Sequence, residues 1–398
     1  MKKRMQTMET KNVKNQFTLE ITTTALCNLG CTYCFEGVKT EKRRLDDKVD
    51  VIKQRIYELL DSEWYKTEYG SLNISFWGGE PTLNGDLILE IMQEFQTQED
   101  IEFHIYTNAY NRKRLDKIID NVDISKLQIQ VSYDGKEIND KFRLTLTGKP
   151  TSDEVLANVE YLARRGVNLS LKSTIPLKTM DSLYSTWKDF EQMYEELNDI
   201  GPNVYVSYSP TIDYVEEIPR ENLDELISSF RKDMLRVAKE EIKFYKKHNR
   251  HLCSWFAGSD SKSHCASGAN MHAIDVDGQS YACHGSLYSP NKESMRGGSI
   301  LDDNWINDVI KMSRTYTEAI KVVPDTCVNC EATTCMICPV SSLDQSKKED
   351  HFDRWTDRWV NNMCGFFKSF GEIDRTVQAY LHDEIAPQDK KATKEEEI

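Results

Sequence analysis

Apolar positions along this chain fall into two alternating rhythms. Phe17, Leu19 and Ile21 recur at every second residue, as on a strand with one buried face; Val49, Ile52, Ile56 and Leu59 then recur at steps of three and four, as on an amphipathic helix. The alternation repeats along the first half of the chain. Strands are expected at 72–77, 101–107, 127–133, 168–175 and 204–209. Between them, helices carry Leu87, Ile91 and Phe95, then Leu115 and Ile119, then Val155, Val159 and Leu162, then the stretch 182–197. Thr151 and Glu154 stand at capping-box spacing before the third of these. Six strand-then-helix units predict an α/β fold, a parallel sheet curled into a partial (β/α)6 TIM-type barrel, with functional residues gathered at the C-terminal ends of the strands. Leu223, Ile227, Phe230, Met234 and Ala238 trace one face of a long helix that ends the barrel near His248.

The expected organisation is a disordered N-terminus over 1–16, the barrel over 17–245, a cysteine-rich C-terminal domain over 246–385 and a charged tail over 386–398. No run of residues approaches a membrane span. The basic start, Lys2, Lys3 and Arg4, is followed by polar residues and not by the apolar core of a secretory signal, so the reading is cytoplasmic. A net charge of -14 over 398 residues argues against a general nucleic-acid binder, which needs clustered Lys and Arg to meet phosphates.

In a chain read as cytoplasmic, eleven cysteines point to metal or catalytic use rather than to disulfides. Cys27, Cys31 and Cys34 sit on one short loop directly after the first strand; the other eight crowd between Cys253 and Cys364. Three thiolates can hold three corners of a cubane 4Fe-4S cluster and leave the fourth iron open to a ligand. The alternative is a zinc site, but structural zinc takes four closed ligands and no His lies in this loop.

The residues Cys27, Cys31, Tyr33 and Cys34 resemble the signature of the radical SAM superfamily, whose 4Fe-4S cluster binds S-adenosylmethionine. The resemblance extends to other strand ends. Trp77-Gly78-Gly79-Glu80-Pro81 is similar to the glycine-rich motif that contacts the methionine amino group, with two glycines for close backbone approach and a carboxylate for an ammonium. Thr107-Asn108 and Ser132-Tyr133-Asp134-Gly135 are similar to positions facing the cofactor and substrate, and Arg143 has a fixed charge suited to the cofactor carboxylate or to an ion pair. Lys172 and Ser173 point to the same region.

The later cysteines resemble the SPASM extension of that superfamily, which implies two auxiliary 4Fe-4S clusters and three clusters in all. By resemblance, Cys265, Cys283 and Cys338 belong to one cluster and Cys327, Cys330, Cys335 and Cys364 to the other. Cys253 is then the leftover thiol for the first, because 252–263 reads as a loop leading into Cys265; the alternatives are a buried structural cysteine or an iron left open for a substrate thiolate. The spacing about Cys335 departs from the pattern, and a zinc knuckle is the other reading of 327–338. A β-hairpin is expected about Asp277-Gly278.

The resemblance implies an oxidoreductase that cleaves S-adenosylmethionine reductively to a 5'-deoxyadenosyl radical and takes hydrogen from a peptide side chain or backbone. A ribosomal-peptide maturase forming a thioether or carbon-carbon crosslink is the first expectation. It would take its electron from a reductant such as flavodoxin or ferredoxin. With only 16 residues before the first strand, it would recognise its precursor through a separate protein or a barrel edge. Alternatives are an anaerobic sulfatase maturase, an enzyme acting on a small metabolite, and a non-catalytic iron-sulfur protein. His284 follows Cys283 where sulfatase-maturing relatives place a catalytic Asp, and is the candidate base.

Overall fold

The computed structural model describes residues 15–34, 43–176, 179–197, 200, 204–212, 220–257, 263–288, 292–319, 330, 332, 335–337 and 364–385. Cys327 and Cys338, the segment 1–14 and the tail 386–398 lie outside the described residues.

The expected alternation is present. Strands β1 (Asn15–Thr24), β2 (Tyr69–Gly78), β3 (Ile101–Thr107), β4 (Leu127–Ser132), β5 (Asn168–Ile175) and β6 (Val204–Tyr205) are parallel neighbours in chain order. Helices α1 (Val49–Asp61), α2 (Glu63–Glu68), α3 (Gly85–Phe95), α4 (Arg112–Ile119), α5 (Lys136–Phe142), α6 (Ser152–Arg164) and α7 (Leu183–Leu197) occupy the crossovers. The register Phe17↔Leu72, Leu19↔Ile74, Ile21↔Phe76 stacks apolar side chains on one face of the sheet. Phe103, Ile105, Leu127, Ile129, Leu169 and Leu171 continue that buried layer. Each such side chain contributes about 1.5–3 kcal/mol on burial. The opposite face carries Glu20, Thr22, Ser75, Trp77, His104, Tyr106, Gln130, Ser132 and Lys172, so the concave side is polar while the convex side is core.

Three expectations need correction. The sixth strand is cut to Val204–Tyr205; β7 (Pro210–Ile212) then also pairs with β5, because Tyr208 turns aside to bridge Cys253. The capping box at Thr151 does not form. Its hydroxyl donates instead to the Arg143 carbonyl, while Asp140 accepts the N–H groups of Thr151 and Ser152, which leaves the cap to a carboxylate eleven residues upstream. Thirdly, residues 252–257 are not a loop clear of the core: Leu252, Cys253 and Phe256 are fully buried.

The long helix α8 (Arg220–His248) is fastened through one carboxylate. Glu241 has no exposed surface and accepts from Trp187 Nε1 at 2.8 Å, Leu252 N at 2.7 Å, Cys253 N at 3.1 Å and His251 Nδ1 at 3.0 Å. A buried charge is tolerable only when donors saturate it in this way.

Beyond α8 the short strand β8 (Ser263–His264) precedes Cys265, and β9 (Met271–Ile274) pairs parallel with β1 through Thr18↔Met271 to Ile21↔Ile274. The hairpin expected about Asp277-Gly278 joins β9 to β10 (Gln279–Tyr281), with β11 (Arg296–Ser299) outside it. Gly278 makes the turn at φ +84°, and the Asp275 carboxylate accepts the N–H of Asp277 and of Gln279. The C-terminal hairpin thus extends the barrel sheet past β1. Helix α9 (Trp305–Ala319) covers this extension, with Trp305 Nε1 donating to Ser280 Oγ at 2.7 Å. Strand β12 (Met336–Ile337) pairs with β8, which sets the segment after Cys335 beside the residues before Cys265. Helix α10 (Cys364–Ile385) packs on α8 through Phe366 and Phe230. Among the described residues, no helix is long and apolar enough to cross a membrane.

His272 of β9 is 1% exposed and donates from Nε2 to the Gly268 carbonyl at 3.0 Å; burial pushes its pKa down to about 4. The folded protein keeps the ring neutral while the unfolded chain takes up a proton near 6.5, so stability should fall as pH drops from about 6.5 to about 4. This group would account for a loss of about 3 kcal/mol. Urea unfolding at pH 7 and pH 4.5 should show a smaller drop in His272→Gln than in the parent; equal drops would assign the acid sensitivity elsewhere.

Candidate functional site

The site is built where β1 and β2 leave the sheet. Gly78, at φ +145°, lies against the Thr24 carbonyl, and Gly79 lies against that of Leu26; a Cβ on either would enter the oxygen's van der Waals envelope. The N–H groups of Gly79 and Glu80 donate to those same carbonyls at 3.1 and 2.8 Å. Only glycine permits this approach, and it fixes where the chain enters the Cys27 loop.

Glu80 then ties three strand ends together. Its Oε1 accepts from Thr82 Oγ1 at 2.6 Å, Thr107 Oγ1 at 2.7 Å and Thr82 N at 3.2 Å, and its Oε2 accepts from Asn108 N at 2.8 Å. The residue is 1% exposed, and burial raises its pKa against the lowering effect of these donors. Both oxygens face internal donors, because the Thr107-Asn108 end of β3 folds over the carboxylate.

Asn108 carries the connection to the cysteines. Its Nδ2 donates to Asn28 Oδ1 at 2.8 Å and lies 3.8 Å from Cys27 Sγ, to which Leu29 N also points at 3.5 Å. Both N–H groups point at this sulfur, an arrangement suited to a metal-bound thiolate. Cys27 is buried, and Cys31 and Cys34 are half-buried. The second edge of the loop is gripped by backbone: Gly30 N donates to Leu144 O at 2.8 Å and Thr32 N to Phe142 O at 3.0 Å. The loop thus presents thiols without a fourth protein ligand of its own, the donor set that suits a cluster with one open iron.

Tyr33, Asp134 and Arg143 come together behind the loop. The Tyr33 hydroxyl donates to Asp134 Oδ2 and receives Arg143 Nη1 at 2.8 Å; the guanidinium lies 3.9 Å from the carboxylate, and Asp134 Oδ1 accepts Thr174 N at 2.8 Å. Burial pushes Tyr33 and Asp134 up. Burial alone would lower Arg143, but Tyr33, Cys31 and Asp134 outweigh it and hold the guanidinium charged. The Arg143–Asp134 pair is buried and not the exposed ion pair that is the alternative to a cofactor contact. Ser132 is half-buried on the concave face, beside Lys172 in register. The Lys172 side chain is exposed yet stands deep within the barrel wall, which lowers its ammonium pKa against the raising effect of Cys265.

His284 is anchored by a residue that sequence reasoning missed. Glu20, 1% exposed on the concave face of β1, accepts both His284 N and Nδ1 at 2.7 Å, while the imidazole stacks on Trp77 at 3.8 Å. In the neutral ring, this Nδ1–H contact puts the lone pair on Nε2. The signal was a carboxylate within an otherwise apolar and hydroxylic strand, but nothing local named a partner 264 residues away.

Of the later cysteines, Cys283 is buried and Cys265 half-buried, with Cys265 Sγ 3.1 Å from Ser267 Oγ. Cys330, Cys335 and Cys364 are partly buried against the main core. Cys253 is fully buried in that core; burial, reinforced by the Glu241 carboxylate, pushes its thiol well above the ordinary range. That environment is the one a small buried hydrophobe occupies. None of the nine described cysteines is in a disulfide. Among the described residues, no three His, Cys, Asp or Glu side chains gather closely enough to hold a single metal ion.

Residues 21–197, which include the cysteine loop and strands β2 to β5, match the radical SAM superfamily. This segment is a radical SAM domain. Over 391 residues the chain is 24% identical to a cysteine-type anaerobic sulfatase-maturating enzyme of Clostridium novyi (strain NT), covering 90% of this chain and 95% of that one. It is 21% identical over 328 residues to the radical SAM cyclopropyl synthase TigE of Paramaledivibacter caminithermalis, covering 77% of this chain and 63% of the relative. A solved structure of native anSMEcpe with bound AdoMet and Cp18Cys peptide shares the fold with a TM-score of 0.65 at 20% identity, over 92% of this chain and all of that one (100%). The likeness therefore runs past the radical SAM domain into the cysteine-rich region.

Gly79→Ala should destabilise the protein by roughly 2 kcal/mol or more, because the added methyl meets backbone that cannot yield without moving the loop. Thermal unfolding compared with Gly85→Ala, where φ is -62° and the added Cβ meets nothing nearer than 3.9 Å, isolates the crowding at Gly79, whose φ is likewise not positive. Equal losses at the two positions would mean that the close approach adds nothing.

Proposed function

We propose that this protein is a radical SAM enzyme that installs a post-translational change in a peptide or protein, and that it is a ribosomal-peptide maturase forming a crosslink such as a thioether or carbon-carbon bond. The observation that carries the reading is the three-cysteine loop held by Gly78 and Gly79 at the strand ends, with N–H donors already aimed at Cys27. Cys27, Cys31 and Cys34 would hold the cluster; Gly78, Gly79, Glu80, Asn108 and Ser132 would surround the bound S-adenosylmethionine. When bound, that pair supplies a 5'-deoxyadenosyl radical able to take a hydrogen atom from a substrate. The barrel wall keeps the reacting centre from water and orients one substrate hydrogen.

The later cysteines, with a SPASM arrangement, would hold two auxiliary clusters: Cys265, Cys283 and Cys338 in one, Cys327, Cys330, Cys335 and Cys364 in the other. Cys253 is placed as the weaker candidate for the remaining ligand, given its fully buried thiol. His284 would take up at Nε2 the proton lost by the substrate radical, whose electron an auxiliary cluster would accept, while Glu20 holds the imidazole through Nδ1–H. Electrons would come from a small reductant such as flavodoxin or ferredoxin.

A second reading, an anaerobic sulfatase maturase, is favoured by the relative of that description matched over 90% of this chain. His284 in the place of an Asp weighs against it. Anaerobic assays with a sulfatase-derived peptide and with precursor peptides decide between the two.

Two outcomes are expected of the enzyme reading. With Cys27, Cys31 and Cys34 all replaced by Ala, reductive formation of 5'-deoxyadenosine should vanish while auxiliary iron is retained; cleavage at the parent rate would remove these residues from the site. His284→Gln should lower product formation by roughly a hundredfold, the usual contribution of a general base, with 5'-deoxyadenosine still produced. Unchanged product yield would assign the proton to another group.

A further inference from the structure

The grouping of Tyr33, Asp134 and Arg143 has a geometry that a set of ligand contacts does not need. The Tyr33 hydroxyl and both Asp134 oxygens are spent within the group and on backbone. The phenol hydroxyl donates to Asp134 and accepts Arg143, and the second carboxylate oxygen is taken by Thr174 N. Asp134 is 1% and Arg143 9% exposed. The same segment that carries Arg143 supplies the backbone acceptors, Phe142 O and Leu144 O, for Thr32 N and Gly30 N, and Thr145 bridges Leu29. Arg143 itself is fixed from behind, where Thr151 donates to its carbonyl. The cysteine loop is thus held along its backbone by 142–145 and through one side chain by a charged pair reaching it from β4 and the end of α5.

We infer that Arg143, Asp134 and Tyr33 form a latch that holds the three-cysteine loop in its ligating shape in the protein chain itself, and that they act on the cluster by position and not by contact with S-adenosylmethionine. The inference rests on the reading of Cys27, Cys31 and Cys34 as cluster ligands. Tyr33 lies between Cys31 and Cys34, so anchoring its hydroxyl limits how far those two sulfurs can swing. A loop free to swing would give up iron readily, whereas a latched one re-forms its ligand set after each dissociation. The three are positioning residues.

The test uses the full chain, anaerobically reconstituted, in parent, Tyr33→Phe and Asp134→Asn forms. The change in the reduced cluster's EPR spectrum on adding S-adenosylmethionine marks the cluster on this loop and separates it from the auxiliary iron. With a ferrous chelator present, that signal should decay about tenfold faster in Tyr33→Phe than in the parent, the size expected when a hydrogen bond to a charged group is lost. Affinity for S-adenosylmethionine in freshly loaded protein should stay within about twofold. Tyr33→Phe removes one oxygen and keeps the ring, so its thermal midpoint should stay close to the parent's even if Asp134→Asn lowers it. Decay at the parent rate, or an affinity loss of tenfold or more with unchanged decay, would overturn the latch and make these residues direct contacts. A signal that persists in a parent chain lacking Cys27, Cys31 and Cys34 would instead overturn the cluster reading, and the latch with it.

Discussion

Everything at the head of the barrel depends on how closely two backbones pass. The Thr24 and Leu26 carbonyls lie against Gly78 and Gly79, at a distance that excludes any side chain, and accept hydrogen bonds from Gly79 and Glu80. This contact settles the direction in which the chain leaves β1, hence where Cys27 falls. The Glu80 carboxylate, drawing in Thr82, Thr107 and Asn108, then transfers the same constraint to β3, and Asn108 returns it to Cys27. A motif that looks like a ligand-binding sequence is thus also the fastening of the sheet's upper rim. The two roles are compatible because close backbone approach serves both.

What sequence reasoning reached is governed by distance along the chain. Strand positions over 101–107 and 168–175 were legible to the residue, since period-two alternation is a local signal. The cysteine triplet and the strand-end motifs were legible because each lies within a few residues. Helix α5 was not: over 136–142 its buried residues are Ile138 and Asn139, too little for a period to appear. Thr151 was assigned a cap by spacing, but Asp140 reached that helix end first, a competition between side chains that no spacing rule resolves. Cys253 was read as loop although its neighbours Leu252, Trp255 and Phe256 are apolar; the weight given to the cysteine hid the weight of its surroundings.

The pairs that escaped altogether bind across the whole chain. Glu20 with His284, β9 with β1 and Arg55 with the Ile300 carbonyl each join the first helices and strands to residues more than two hundred positions later. These contacts also explain why a buried carboxylate is tolerated at Glu20. An acid on the inner face of β1 is costly until the His284 N–H groups arrive, so the barrel's first strand is completed chemically by the last third of the sequence.

The pairing of β9 with β1 makes one plate of backbone run from the Cys27 loop through β1 and β9 to β10, which ends two residues before Cys283. Such a plate behaves as a ruler. The interval between the two cysteine positions is graduated in strand spacings and residue rises, quantities fixed by hydrogen bonding, and is indifferent to the composition of any surface loop. A molecule lying between the two positions would meet a gauge of fixed length, and variation in what this scaffold accepts would have to arise from side chains standing on the plate and not from stretching it.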